Sequence, residues 1–402
     1  MALDMTAADK VLKEFYLAPV REQLNNDIKT LAQFEKNTEN VQGKRVYVPI
    51  HVSRNSGVGA RPDGGTLPTA GQQGYEDSLV PLKYQYGRIK VTGPTIRATK
   101  SDEGSFIRAV DSEMKGVVRD LKRDINRQVF GDGSAKLAQF TTTSSGDVLN
   151  LATTTKASQV RAFEPGLKFS IGTVANPVVT AASLEVVSSD PVNKTVTVKS
   201  GTGVVTASTD FAFRVGNAGA NVAYEITGLA KQIAASGTLF DVDPTSYPVW
   251  KSVAKSNGGT NRQLTEALVQ ETLDDVDIAS GETPTLWIGS HGVVTSYANS
   301  LQVRSRYLNT VELKAGWKGV EIAAADGAAF MKDRDCPNNT AFAITPDKFV
   351  EYRQSDYDFA DYDGRALRNV ANEDGWEAFV GIDHELATSQ RNAHAVITDI
   401  TE

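Results

Sequence analysis

Four carboxylates, Asp356, Asp358, Asp361 and Asp363, crowd into the stretch SDYDFADYDG. Hard oxygen ligands at this density can hold calcium, but their spacing is not that of an EF-hand loop and no closing glutamate follows. Alternation with Tyr and Phe equally suits an exposed strand edge. His51, His291, His384 and His394 are scattered without metal-ligand spacing. Gly57 and Gly59 begin a G-x-G, but Pro62 occupies the third glycine position, so a dinucleotide fingerprint fails. There is no G-x-x-x-x-G-K-[ST] to cradle phosphates, no H-E-x-x-H and no G-x-S-x-G. The expectation is a chain with no catalytic residues, no cofactor and no metal. A hydrolase with an accessory β-domain is the enzymatic alternative, and the clustered aspartates are its only support.

The elements that would position any site are more informative. KRVYVPIHVSR alternates Val46, Val48, Ile50 and Val52 with Tyr47, Pro49, His51 and Ser53, which predicts a strand with one apolar face. Pro49 cannot donate to a ladder, so the strand is an edge or part of a two-stranded ribbon. Residues 55–78 then carry six glycines and two prolines, a loop composition too long for an ordinary hairpin turn. LVPLKYQYGRIKV returns with Val80, Leu82, Tyr84 and Tyr86 in alternation. An isolated two-stranded ribbon is marginal in water, so this excursion is expected to touch another subunit; a hairpin folded back on its own domain is the alternative.

Periodicity changes after Ser101. Ile107, Val110, Met114, Val117, Leu121 and Ile125 keep one apolar stripe on a long helix, with Asp102 and Glu103 in its first turn, Lys122, Arg123 and Arg127 in its last, and Gly131 and Gly133 as a stop. Its other face carries Arg108, Asp111, Lys115 and Arg119, most simply a solvated face. Residues 8–35 predict one or two short helices broken at Pro19, with Val20, Leu24, Ile28, Leu31 and Phe34 as an apolar stripe. Residues 142–228 shift toward Ser, Thr, Val and Gly, with candidate strands LKFSIGT, SLEVVSS, KTVTVKS and DFAFRV and a DPVN turn, which predicts an inserted small β-barrel or sandwich. Beyond Pro244 and Pro248 an α/β region follows, and strands return from Trp376 to Ile400. The architecture is mixed α+β with an inserted β module.

Composition bounds the class without naming a function. The chain has 402 residues, 40% hydrophobic and 23% charged, enough for two or three cores. Cys336 is the only cysteine, so no disulfide forms within the chain. MALDMTAADKVLKEF lacks the apolar core of a secretory signal, and no apolar run approaches the roughly 18 residues that span a bilayer, so no membrane partner is expected. A net charge of −7 argues against affinity built on neutralising phosphates. Residues 1–140 nevertheless hold 21 basic and 17 acidic residues, leaving 21 and 32 for the remainder.

A short arm, an extended β-loop, a long spine helix and then QVFGDGSAKLAQF resemble the major capsid proteins of tailed bacteriophages, the Hong Kong 97-type fold. LTEALVQETLDDVD, TLWIGSHGVVTSYANSL and MKDRDCPNNTAFAITPDKFVEYR look like that family's axial domain, and AHAVITDI like its closing strand. The resemblance implies an N-terminal arm over 1–40, an extended β-loop over 41–98, and the spine helix with the start of the peripheral domain over 99–141. It further implies the β-rich insert over 142–228, a mainly axial region over 229–350 and a return to the peripheral domain with closing strands over 351–402. It implies a structural subunit assembling as hexamers and pentamers into an icosahedral head around double-stranded DNA, in the virion after assembly in the bacterial cytoplasm. An encapsulin-type shell protein is the alternative that shares the fold. Implied partners are further copies of the chain, a portal, a possible decoration protein and DNA in non-specific contact with the mildly basic arm and spine. Arg54, Arg61, Asp63, Tyr75 and Glu76 of the loop, with Arg108 and Arg119 of the helix, are the candidate contacts between subunits. Some members of the family crosslink a loop lysine to a neighbour's asparagine; no lysine lies between Arg54 and Leu82, so noncovalent contacts are expected. Only about 40 residues precede the first loop strand, against the order of 100 in members that scaffold themselves, a length far outside ordinary connections, which implies a separate scaffolding protein.

Overall fold

Alternating side chains build the ribbon as expected and then depart from it at Leu82. The computed structural model describes residues 29–39, 41, 43–94, 103–141, 146–178, 180–199, 204–303, 310–312, 318–322, 327–360 and 368–402. Strands Arg45–Ser53 and Gly74–Pro81 pair antiparallel, from Arg45 opposite Pro81 to His51 opposite Tyr75. The single return strand expected through Tyr86 is instead two. Lys83–Thr92 leaves the ribbon and pairs along Gly375–Thr388 in a five-stranded sheet. Inward positions run Ser78, Val80 and Leu82, then Gln85 and Ile89, so the phase slips by one residue at the junction. That slip turns Tyr84 and Tyr86 outward, where an unbroken alternation would have kept them on the buried side. The extended loop assigned to 41–98 therefore closes at Pro81.

The five-stranded peripheral sheet gathers distant pieces of chain. Gly375–Thr388 lies at its centre, with Lys83–Thr92 on one side and Phe349–Phe359 and Arg368–Asn369 on the other; Glu35–Asn37 adds in parallel to Phe349–Phe359. Across it runs the spine helix, Glu103–Val129, roughly 40 Å long at 1.5 Å per residue. Gly87 lets the helix sit directly on the sheet, because a Cβ there would stand 2.7 Å from Val117. Leu121, Ile125 and Val129 are buried, sharing one core with Val380, Ile382 and Leu386 of the peripheral sheet and with Ile288, Met331 and Phe342. Of the expected arm, Pro19, Val20, Leu24 and Ile28 lie outside the described residues, while Leu31–Gln33 forms a 3₁₀ turn and Leu31 and Phe34 join this core.

The insert is a closed barrel. Strands Lys136–Gln139, Phe211–Arg214, Lys168–Gly172, Ala181–Asp190, Thr195–Lys199 and Val148–Asn150 are hydrogen-bonded in that order. The Phe140 to Leu151 bridge, with Thr141 N–H donating to Asn150 C=O and Ala152 N–H to Gln139 C=O, joins the two outer strands. All four candidate strands form, and Asp190 builds the DPVN turn by accepting from the Val192 and Asn193 amides at 2.8 and 3.1 Å. The barrel starts at Lys136 rather than 142, because KLAQ carries no Ser/Thr signal and is defined only by its partner strand. Its interior is Phe163, Phe169, Ile171, Val186, Val196 and Val198 among others.

Seven strands form the axial sheet, in the order Val253–Lys255, Ala395–Ile397, Ala341–Ile344, Leu286–Gly289, Ala328–Lys332, Lys318–Ile322 and Thr310–Glu312. Helices Glu266–Ser280 and His291–Val303 cover one face through Val269, Leu273, Val276, Val293 and Tyr297. Thr265 caps the first by accepting from Leu268 N–H at 3.3 Å, and Gly281 ends it at φ +72°. The segment 351–402 expected to return to the peripheral domain is divided: it fills that sheet to Thr388, and its closing strand Ala395–Ile397 lies inside the axial sheet. Among the described residues no helix is long and apolar enough to cross a membrane.

Candidate assembly surface

One side of the ribbon is turned to the subunit and the other to solvent, as a period of two requires. Ile50 packs with Leu239, Val242 and Trp250, with Val52, Phe240 and Tyr247 alongside. Two polar links reinforce that contact: Leu79 N–H donates to Phe240 C=O at 3.0 Å and Tyr247 Oη to Glu76 Oε2 at 2.9 Å. The base of the excursion is therefore supported by its own chain. Opposite, Tyr47 and Tyr75 are 65% and 66% exposed, and the His51 and Tyr75 rings lie 5.3 Å apart.

The tip is an ordered loop gathered at its neck. Asn55 Nδ2 donates to Gly71 C=O at 3.0 Å while its Oδ1 accepts from Gly57 N–H at 2.7 Å. The two backbones pass so closely that a Cβ on Gly57 would stand 2.9 Å from Gly71 N. Beyond this neck Val58 and Leu67 are 86% and 81% exposed. The ordered loop thus holds two apolar side chains out in solvent.

The candidate contacts separate by environment. Arg54 and Asp63 are exposed and form no ion pair among the described residues. Arg61, also exposed, turns back on its own loop, donating from Nε to Thr66 C=O at 2.9 Å and from Nη1 to Ala60 C=O at 3.2 Å. Tyr75 faces outward on the ribbon, whereas Glu76 is occupied by Tyr247 within the chain. Arg119 is exposed on the spine helix, and the Arg108 side chain lies outside the described residues.

Sequence reading missed the polar network at the end of the spine helix. Arg123 grips Asp335 with two hydrogen bonds of 2.6 and 3.0 Å, and Asn126 reaches Asp335 at 2.8 Å. Asp124 accepts from Arg127, from Arg214 of the barrel and from Gln128, at 3.0, 2.8 and 2.8 Å. Arg127 also meets Glu225 at 2.5 Å. Burial alone would push the Asp124 carboxyl up, but Arg127 and Arg214 override it and hold it well below the usual range. Helix, barrel and axial sheet are thereby fixed to one another by charges that cannot be separated cheaply. The clue was present as Arg123, Asp124, Asn126, Arg127 and Gln128 in the last turns, too many polar residues for a helix end that is simply solvated.

A second buried group lies where the chain leaves the insert region. Glu385 Oε1 accepts from the Thr227 and Leu386 amides at 2.7 and 3.1 Å, and burial raises this carboxyl from its ordinary 4.5 to about 8. The folded state holds the proton more tightly than the unfolded chain, so this stabilisation is complete below about pH 4.5 and is lost as pH rises through about 8. Between those limits the slope is about 1.4 kcal/mol per pH unit. Glu385→Gln, which keeps the acceptor and cannot ionise, should flatten the fall in denaturation midpoint between pH 6 and 9; an unchanged slope would show that Glu385 does not titrate there.

No family model matches the sequence, and no curated protein does. Among solved structures the chain is similar to the capsid asymmetric unit of cyanophage A-1(L), with a TM-score of 0.62, 14% identity and 98% of each chain covered. It is also similar to the holo-SrpI encapsulin complex of Synechococcus elongatus, with a TM-score of 0.51, 10% identity and coverage of 100% of this chain and 97% of that chain. The capsid of a native GTA particle follows at 0.50, 8% identity, 100% and 99%. The chain has a Hong Kong 97-type capsid fold.

The residues first singled out for chemistry fall in separate environments. Asp356 accepts from Arg353 at 2.7 Å; Asp361 and Asp363 lie outside the described residues, and no group of three metal-ligating side chains occurs among the described ones. His384 is buried against Glu351 at 2.8 Å. His394 accepts from Thr345 N–H at Nδ1 and meets Thr388 Oγ1 through Nε2, and burial lowers its pKa to about 3, so it stays neutral. Cys336 is buried, and burial raises its thiol well above the ordinary value.

Proposed function

We propose that the chain is a major capsid protein, a non-enzymatic subunit that assembles as hexamers and pentamers into an icosahedral phage head around double-stranded DNA. The observation that carries this reading is the neck-gathered loop with its exposed Val58 and Leu67, projecting from a capsid fold that matches a phage capsid subunit over 98% of both chains. The tip lies across an adjacent subunit, where Arg54, Asp63 and Tyr75 make the contacts and Arg61 and Glu76 keep the loop and ribbon in shape. Arg108 and Arg119 of the spine helix are further contacts. Assembly takes place in the bacterial cytoplasm with a separate scaffolding protein, and the finished head carries a portal, a possible decoration protein and DNA in loose contact with the basic N-terminal third.

An encapsulin-type compartment is the second reading, favoured by the likeness to an encapsulin complex. Electron microscopy of purified particles should show rings and closed shells, and nucleic acid rather than a cargo protein inside particles taken from infected cells. Denaturing electrophoresis of those particles should give a single band near 43 kDa, since the loop offers no lysine for a crosslink. A monomeric protein with no shells overturns the proposal; a ladder of multimers overturns the noncovalent reading alone.

A further inference from the structure

Where the end of the arm meets the spine helix and the peripheral sheet, the surface dips into a niche of about 250 Å³. Its charged and phenolic lining is Lys36 of Glu35–Asn37, Lys122 of the helix, and Arg353, Asp356 and Tyr357 of Phe349–Phe359. Three cations thus meet one carboxylate. That carboxylate is already engaged, since Asp356 Oδ1 accepts from Arg353 Nη1 at 2.7 Å and from the Tyr357 amide at 2.9 Å. Arg353 also donates from Nη2 to Glu351 at 2.8 Å. Lys36 and Lys122 have no carboxylate partner among the described residues, and Lys122 Nζ stands 4.8 Å from the centre of the Tyr357 ring. The niche therefore carries two cationic charges that nothing in the chain neutralises.

Two buried donors of the same residues are stranded. Tyr357 Oη and Arg353 Nε are shut off from solvent, and neither has a hydrogen-bond partner. Burial pushes the Tyr357 phenol above its ordinary value, so it keeps its proton at neutral pH. A buried donor without an acceptor is costly, and each such group calls for an explanation. What the two lysines, the phenol and the guanidinium Nε lack in common is an acceptor. A carboxylate has two oxygens to share among them, whereas a phosphate has three or more and suits charge-assisted donors. Size narrows the choice further. The niche lies below the roughly 300–1,000 Å³ of small-molecule sites, so it admits one phosphate group and leaves anything attached to that group outside.

We propose that this niche is a phosphate seat, in which Lys36 and Lys122 neutralise the group while Tyr357 Oη and Arg353 Nε donate to its oxygens. The group is supplied by free phosphate or by the backbone of a nucleic acid, whose diesters present the same oxygens. The second source rests on the DNA-enclosing role proposed above; the seat itself does not.

At constant ionic strength, replacing chloride by inorganic phosphate should raise the thermal midpoint of the full-length subunit by several degrees. Lys122→Gln should weaken phosphate binding roughly tenfold, the worth of one charge-assisted contact. Tyr357→Phe removes an oxygen that has no partner, so this variant should fold at least as well as wild type in chloride and bind phosphate severalfold more weakly. A lower midpoint in chloride with an unaltered phosphate response would make the phenol merely structural and overturn the seat. So would wild-type protein that gains nothing from phosphate over chloride, or an equal gain in all three proteins. A short DNA duplex titrated at the same ionic strength separates the sources. Duplex binding weakened by both substitutions assigns the seat to backbone phosphate; duplex binding unchanged by both assigns it to free phosphate and overturns the DNA source. Wild-type protein that forms no shells defeats the DNA-enclosing role, and the phosphate titration then still decides whether the seat exists.

Discussion

Removal of residues 57–74 should leave a soluble, folded subunit that forms no shells. The deletion takes out the gathered tip with Val58 and Leu67 and leaves Ile50 on Leu239, Val242 and Trp250, so the buried cluster at the ribbon base survives. His51 still pairs with Tyr75, and residues 52–56 remain as a connection of ordinary hairpin length. Nothing in the peripheral, axial or barrel cores touches the excised stretch. The loss is therefore confined to surface that only a neighbour can bury. Circular dichroism and size-exclusion chromatography check the subunit, and electron microscopy checks assembly. Normal particles from the deletion would remove the loop from the assembly contact.

Arg391→Lys should be strongly destabilising for a conservative change. Arg391 is fully buried and spends its donors on five carbonyls, those of Lys231, Gln232, Ser236, Gly237 and Trp250, at 2.9 to 3.4 Å. Among the described residues it has no carboxylate partner. Burial draws its pKa down to about 10, which still leaves it charged at neutral pH. Lysine has three donors without the planar fork, so at least two buried carbonyls lose their partner. At about 1–3 kcal/mol for each stranded group the cost is roughly 3–5 kcal/mol, read as a lower denaturant midpoint. A shift under about 1 kcal/mol would show that water replaces the guanidinium freely.

Much of this fold is written in local periodicity. The Val46 to Val52 alternation and the stripe from Val117 to Ile125 are each dictated by a buried face a few residues wide, and each forms where expected. The division at Leu82 is of another kind. Both halves of LVPLKYQYGRIKV alternate correctly, and only the partner, Gly375–Thr388, shows that the second half belongs to a different sheet. The same holds for Lys136–Gln139, a strand by virtue of Phe211–Arg214. The loop was legible as a long connection from its glycines and prolines. Its root was not, since the tie between Glu76 and Tyr247 spans residues with no common pattern. Arg391 was invisible for the same reason: no spacing marks a cation whose partners are all backbone carbonyls.

The peripheral sheet unites residues 35–37, 83–92, 349–359, 368–369 and 375–388. On a ribosome the sheet cannot be completed until Gly375–Thr388 has emerged, after every other strand of that sheet. The barrel between Lys136 and Arg214 is finished much earlier, closed on itself with no unpaired edge to catch on another nascent chain. The spine helix, whose apolar stripe waits for that late strand, meanwhile stands beside a finished domain that already holds Asp124 through Arg214. Translation order thus supplies the last turns of the helix with a folded partner first and its hydrophobic cover last.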